Sequence, residues 1–214
     1  MKDTARVILT TKCPRRCSYC VNKYPGVLEQ ARSFLFMHEM VKALAKYQVV
    51  CLTGGEPMLV MPEHMIAFAK AIRHAWPGIK IYAYVSDYCH REDLARLMAL
   101  VDGVNYALHA STNLGDIDRF YGFQTLAKQF HGSHRLAMHP QIVFTPIVIT
   151  PGCWTRIEMK PWLEPGDCCV PDNEDLYIWR NNDEKRTHSL PSRANDRHDL
   201  GARHDLAREG ARGS

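Results

Sequence analysis

Short apolar, β-branched runs recur along the chain, and each leads through a loop into a segment with helical spacing. This alternation constrains the fold more than any other feature. Residues 6–10, 48–53, 79–85 and 104–108 read as strands. Between them, residues 33–46 carry Phe34, Met37, Val41, Leu44 and Ala45 at helical spacing. Pro62 opens a further helix, since proline suits the first helical position, and Met65, Ile66, Ala69 and Ile72 give that helix an apolar face. Residues 91–100 place Leu94, Leu97 and Met98 inward, and residues 116–130 read as helical in part. Residues 135–138 and 141–149 are extended candidates, limited by Pro140 and Pro146.

Strands that alternate with helices imply a parallel sheet with crossover connections. Five or six such units make an α/β fold of the partial (β/α)6 TIM-barrel type, open rather than closed. Chemistry in such folds sits at the C-terminal ends of the strands. Here those ends carry the polar residues: the cysteine loop, Gly54-Gly55-Glu56, Ser86-Asp87, and His109 with Ser111. The expected division is a barrel over residues 1–150, an irregular C-terminal extension packing on it over 151–182, and a disordered or weakly helical tail over 183–214. That tail holds seven Lys/Arg against six Asp/Glu with few large apolar residues, so it can bury little surface and makes a poor basic arm. The net charge of +4 names no nucleic-acid partner by itself. No apolar run is long enough to span a bilayer, and residues 1–6 lack a signal-peptide core, so a cytoplasmic location is the default expectation.

Three of the eight cysteines fall within eight residues, Cys13-Pro14-Arg15-Arg16-Cys17-Ser18-Tyr19-Cys20. A disulfide framework would suit a smaller secreted chain, so the clustering suggests a metal site. Three thiolates on one tight loop can reach three corners of a cubane cluster and leave the fourth iron open, as a catalytic site requires. A zinc site is the alternative. It would usually need a fourth ligand close by, and His38 is a candidate that also fits a helix face.

The C-x3-C-x2-C motif, the strand before it and the aromatic Tyr19 before the third cysteine resemble the radical S-adenosylmethionine (radical SAM) superfamily. The resemblance implies a [4Fe–4S] cluster on Cys13, Cys17 and Cys20. It implies S-adenosylmethionine chelated to the open iron, and one-electron cleavage of that cofactor to methionine and a 5′-deoxyadenosyl radical.

A second segment agrees with it. Thr53-Gly54-Gly55-Glu56-Pro57 follows the second strand of the alternation. Two glycines let the backbone approach a ligand, and a carboxylate beside them can accept hydrogen bonds from an ammonium group. Taken alone, Gly54 to Pro57 could be a turn closing a strand. In the superfamily a segment of this kind binds the cofactor's methionine amino group. By position, the resemblance places Tyr19 near the adenine, Ser86 and Asp87 at the third strand end, and His109 and Ser111 near the ribose or carboxylate. Each has a plainer reading, as a turn cap or a satisfied strand-end histidine. Arg135 could reach the cofactor carboxylate or form a surface ion pair.

Cys51 reads as a small core residue and Cys89 as a loop cysteine. Cys153, Cys168 and Cys169 match no spacing for a second cluster, and no catalytic residue is assigned. The resemblance implies an electron donor such as flavodoxin or ferredoxin. It leaves the substrate open, leaning to nucleotide or nucleic-acid base modification, with glycyl-radical enzyme activation or peptide modification as alternatives. A non-catalytic iron–sulfur or zinc module is the alternative of another class.

Overall fold

The computed structural model describes residues 2–15, 20, 25–109, 114–138, 147–159 and 172–180. Among the described residues, eight strands form one all-parallel sheet in the order β2-β8-β1-β3-β4-β5-β6-β7. They are β1 (Thr4–Ile8), β2 (Arg32–Phe34), β3 (Val49–Thr53), β4 (Lys80–Val85), β5 (Gly103–Leu108), β6 (Arg135–Met138), β7 (Arg156–Met159) and β8 (Glu174–Trp179). The run β1-β3-β4-β5-β6-β7 sets each strand beside its predecessor and is the expected six-stranded open barrel. Helices α1 (Pro25–Glu29), α2 (Met37–Ala43), α3 (Pro57–Val60), α4 (Pro62–Ala75), α5 (Arg91–Met98) and α6 (Leu114–Ala127) lie between strands.

Alternation along the strands divides the sheet into two faces, because successive side chains point opposite ways. Val50 and Leu52, Ile81, Ala83 and Val85, and Val104, Tyr106 and Leu108 join one core with Met65, Phe68, Ile72, Leu94, Leu97, Phe120 and Phe123 of α4, α5 and α6. Proline at the start of α4 and Arg73 and His74 in its last turn suit the helix ends. The residues of opposite parity face the other side. There Ile8, Leu176 and Ile178 form a small apolar cluster with Val27, and the Arg6 guanidinium is held by Glu174 and lies over the Tyr84 ring, 4.9 Å from its centroid.

Three departures from the sequence reading have physical reasons. Ser33 and Phe34, expected at the start of a helix, lie in β2, whose register is set by β8 some 140 residues later. Among residues 151–182, an irregular extension was expected; the chain supplies β7 at one edge of the sheet and β8 between β1 and β2. Within the same segment, Trp154 stacks on Phe120 and Phe123 of α6. Buried Gln124 holds this corner: its amide donates to Val148 O, and its Oε1 accepts from Thr150 N and Trp154 Nε1. Residues 147–149 are not a strand, and residues 141–146 and 183–214 lie outside the described residues. No helix among the described residues is long and apolar enough to cross a membrane.

Candidate functional site

The backbones that leave β1 and β3 run side by side, which joins the two motifs. The β1–β3 pairing continues past the strand ends: Leu9 N donates to Thr53 O at 2.9 Å, Gly55 N to Thr10 O at 2.6 Å, and Glu56 N to Lys12 O at 3.1 Å. The last of these carbonyls immediately precedes Cys13. Both glycines are required by this approach. A Cβ on Gly54 would lie 2.4 Å from Thr10 O, and one on Gly55 would lie 2.0 Å from Lys12 O. Gly54 also sits at φ +137°, a conformation other residues rarely adopt. The glycine pair therefore serves first to let the cysteine loop close against it.

Glu56 is 2% exposed. Its Oε2 accepts hydrogen bonds from Ser86 N at 2.8 Å and from Ser86 Oγ. Its Oε1 is buried and has no hydrogen-bond partner among the described residues. Burial pushes its carboxyl up to about 7, against the two bonds from Ser86. A buried acceptor without a donor is costly, so the site is built for a group that brings one. An ammonium fits: it would satisfy Oε1 and return the carboxyl to its charged form.

Asp87 follows Ser86 and turns to the cysteine loop. Arg15 Nη1 donates to Asp87 Oδ2 at 2.8 Å and to Asp116 Oδ1 at 3.0 Å, and Arg15 Nη2 donates to Asp116 Oδ2 at 2.5 Å. Arg119 closes the set, with Nη2 on Asp116 Oδ1 at 3.0 Å and Nε paired with Asp87. Burial raises the Asp87 carboxyl, and Arg119 and Arg15 oppose that shift.

Cys13 and Cys20 are half-buried thiols on the loop after β1; Cys17 and Tyr19 lie outside the described residues. Among the described residues, no three His, Cys, Asp or Glu side chains gather as a metal site. His38 lies in α2 with its ring against Phe36, 5.8 Å between centroids. Pro57 is buried at the first position of α3, a single turn that the sequence reading did not separate from the loop. His109 follows β5 and is half-buried; Ser111 lies outside the described residues. Arg135 is exposed at the start of β6, over the Tyr82 ring. Cys51 is buried in β3 and Cys89 is exposed. Cys153 is buried and donates to Gln124 O, while Cys168 and Cys169 lie outside the described residues. The Arg15–Asp87–Asp116 contacts were missed by sequence reasoning, and no spacing signal links residues 72 and 101 positions apart.

No curated protein and no solved structure matches the chain. The model of the radical SAM superfamily matches residues 7–153, from β1 through the turn before Trp154. That span holds the cysteine loop, the glycine pair and Glu56 on the adjacent strands β1, β3, β4, β5 and β6 of an open parallel sheet, and the chain belongs to the radical SAM superfamily.

Proposed function

We propose that this chain is an enzyme that holds a [4Fe–4S] cluster on Cys13, Cys17 and Cys20, and S-adenosylmethionine against residues 53–57. The observation that carries this is the unpartnered, buried Oε1 of Glu56 on a loop bonded to the backbone entering Cys13. A cluster held by Cys13, Cys17 and Cys20 would, once reduced, supply the one electron needed to cleave the cofactor's carbon–sulfur bond, giving methionine and a 5′-deoxyadenosyl radical that would take hydrogen from a substrate.

The protein's own part is positioning. Glu56 would accept from the cofactor's ammonium through Oε1, while Ser86 fixes the carboxylate's orientation through Oε2. Gly54 and Gly55 keep the loops close enough for cluster and cofactor to meet. His109 and Ser111 at the end of β5, and Tyr19 in the cysteine loop, are proposed to contact the rest of the cofactor. Asp87 is proposed to support the site through Arg15. A small electron donor such as flavodoxin or ferredoxin would reduce the cluster. For the substrate we propose a nucleotide or nucleic-acid base, the class the sequence reading leans to; Arg135, first residue of β6, stands at the opposite end of its strand from the site and lends no support.

The test is anaerobic reconstitution with iron and sulfide, followed by titration of the reduced protein with S-adenosylmethionine under electron paramagnetic resonance. The cofactor should change the spectrum of the wild-type cluster, and Glu56→Ala should keep the cluster while needing much more cofactor for that change. Zinc in place of iron, or a spectrum indifferent to the cofactor, would refute the proposal.

A further inference from the structure

Arg15 stands midway between Cys13 and Cys17, two residues from each. Its side chain turns away from solvent into a pair of carboxylates, Asp87 and Asp116, each 4% exposed. The Arg15 guanidinium engages both Asp116 oxygens, the bidentate arrangement that fixes direction as well as distance, and adds a bond to Asp87. With Arg119 the group is two guanidiniums and two carboxylates, neutral as a whole. Taking Arg15 and the two carboxylates largely out of water is expensive, and such a set stabilises a fold weakly, so its worth lies in geometry. What it fixes is the cysteine loop relative to the end of β4 and the first turn of α6. The same end of β4 holds Glu56, through Ser86. Neighbouring residues thus hold both motifs, Ser86 the carboxylate and Asp87 the loop.

We propose that Arg15 is a positioning residue for the cluster: clasped by Asp87 and Asp116, it anchors the arm of the cysteine loop from Cys13 to Arg15 before metal arrives. This rests on the reading that Cys13 and Cys17 are cluster ligands. Without the clasp, the ordering of the loop falls on the cluster itself, because each backbone residue fixed costs conformational entropy. The cluster then forms but is held less firmly. A lysine at position 15 restores one charge between the carboxylates without the fork, so it rescues in part.

The experiment uses the full chain as wild type, Arg15→Met, Arg15→Lys, Asp116→Asn, the Arg15→Met/Asp116→Asn double variant, and Arg73→Met. Each is reconstituted anaerobically, and the rate of iron release to a chelator is followed beside the thermal unfolding of the metal-free protein. Arg73 is the control, since its pair with Asp102, at 2.6 Å, is of the same kind but joins α4 to the turn before β5. Release should be at least about ten times faster in Arg15→Met and Asp116→Asn, intermediate in Arg15→Lys, and no faster in the double variant than in Arg15→Met. Arg73→Met should lower thermal stability and release iron at the wild-type rate. Wild-type release rates in the Arg15 and Asp116 variants would overturn the proposal, and so would equal acceleration in Arg73→Met. If Arg15→Met does not fold, Arg15→Lys and Asp116→Asn decide. Failure of the wild type to take up iron would instead remove the cluster assignment, and that is read before any variant is compared.

Discussion

Replacing Glu56 with glutamine should change how the stability of the metal-free protein responds to pH. The Glu56 carboxyl sits at about 7 in the folded chain against an ordinary 4.5, chiefly because burial penalises its charge. Below about pH 4.5 the group is protonated in folded and unfolded chains alike, and its contribution to stability is fully present. Between 4.5 and 7 the unfolded chain releases the proton while the folded chain keeps it, so stability falls as pH rises. Each pH unit across that window is worth about 1.4 kcal/mol, so the loss approaches about 3 kcal/mol by pH 8. Glutamine has no proton to lose and removes this dependence. Urea unfolding of both proteins at pH 5 and pH 8 measures it, since titrations common to both cancel in the difference. Relative to wild type, Glu56→Gln should gain about 2.5 kcal/mol between the two pH values, since part of the loss has already occurred by pH 5. The same variant places an N–H where Oε1 now waits for a donor, so it should bind S-adenosylmethionine at least about ten-fold more weakly. Parallel pH profiles for the two proteins would refute the claim that Glu56 is buried without a counter-charge.

Further outcomes follow from particular contacts. Gly55→Ala drives a methyl into the Lys12 carbonyl and should cost about 2–3 kcal/mol in denaturant unfolding, together with iron retention; Gly78→Ala, with open space at that position, should stay within about 0.5 kcal/mol of wild type. Phe123→Ala removes a ring stacked on Trp154 and packed against Tyr106, and should cost about 3–5 kcal/mol by the same assay without altering the spectrum of the cluster that remains. Deleting residues 183–214 should leave cofactor cleavage intact, measured as product per chain; loss of cleavage would give those residues a part in the site.

The parts of the fold written in local pattern could be read directly. β1, β3, β4 and β5 are runs of β-branched and aromatic residues, and α4 and α5 carry their apolar faces at regular spacing. The parts that depend on distant pairing could not. Phe34 continues the helical spacing of Met37 and Val41, yet pairing with Trp179 places it in a strand. Leu176, Tyr177, Ile178 and Trp179 form an unbroken apolar run because β8 is covered on both faces, and without alternation they were left in an irregular extension. The site divides in the same way. The cysteine spacing and Gly54 to Pro57 are local motifs and were legible. The clasp is a matter of charge pairing across the sheet, and Arg15 resembles any loop arginine until Asp87 and Asp116 are brought to it. Asp87, a candidate by its place at the end of the third strand of the alternation, is paired with two guanidiniums.

The central claim is radical cleavage of S-adenosylmethionine at three cysteines, and 5′-deoxyadenosine is its direct product. Iron-loaded, reduced wild type and the Cys17→Ala variant would be incubated with the cofactor under anaerobic conditions and assayed for that nucleoside. Formation by the wild type and none by Cys17→Ala is the expected result. Equal amounts from both, or none from wild type carrying a full iron load and its proposed electron donor, would contradict it.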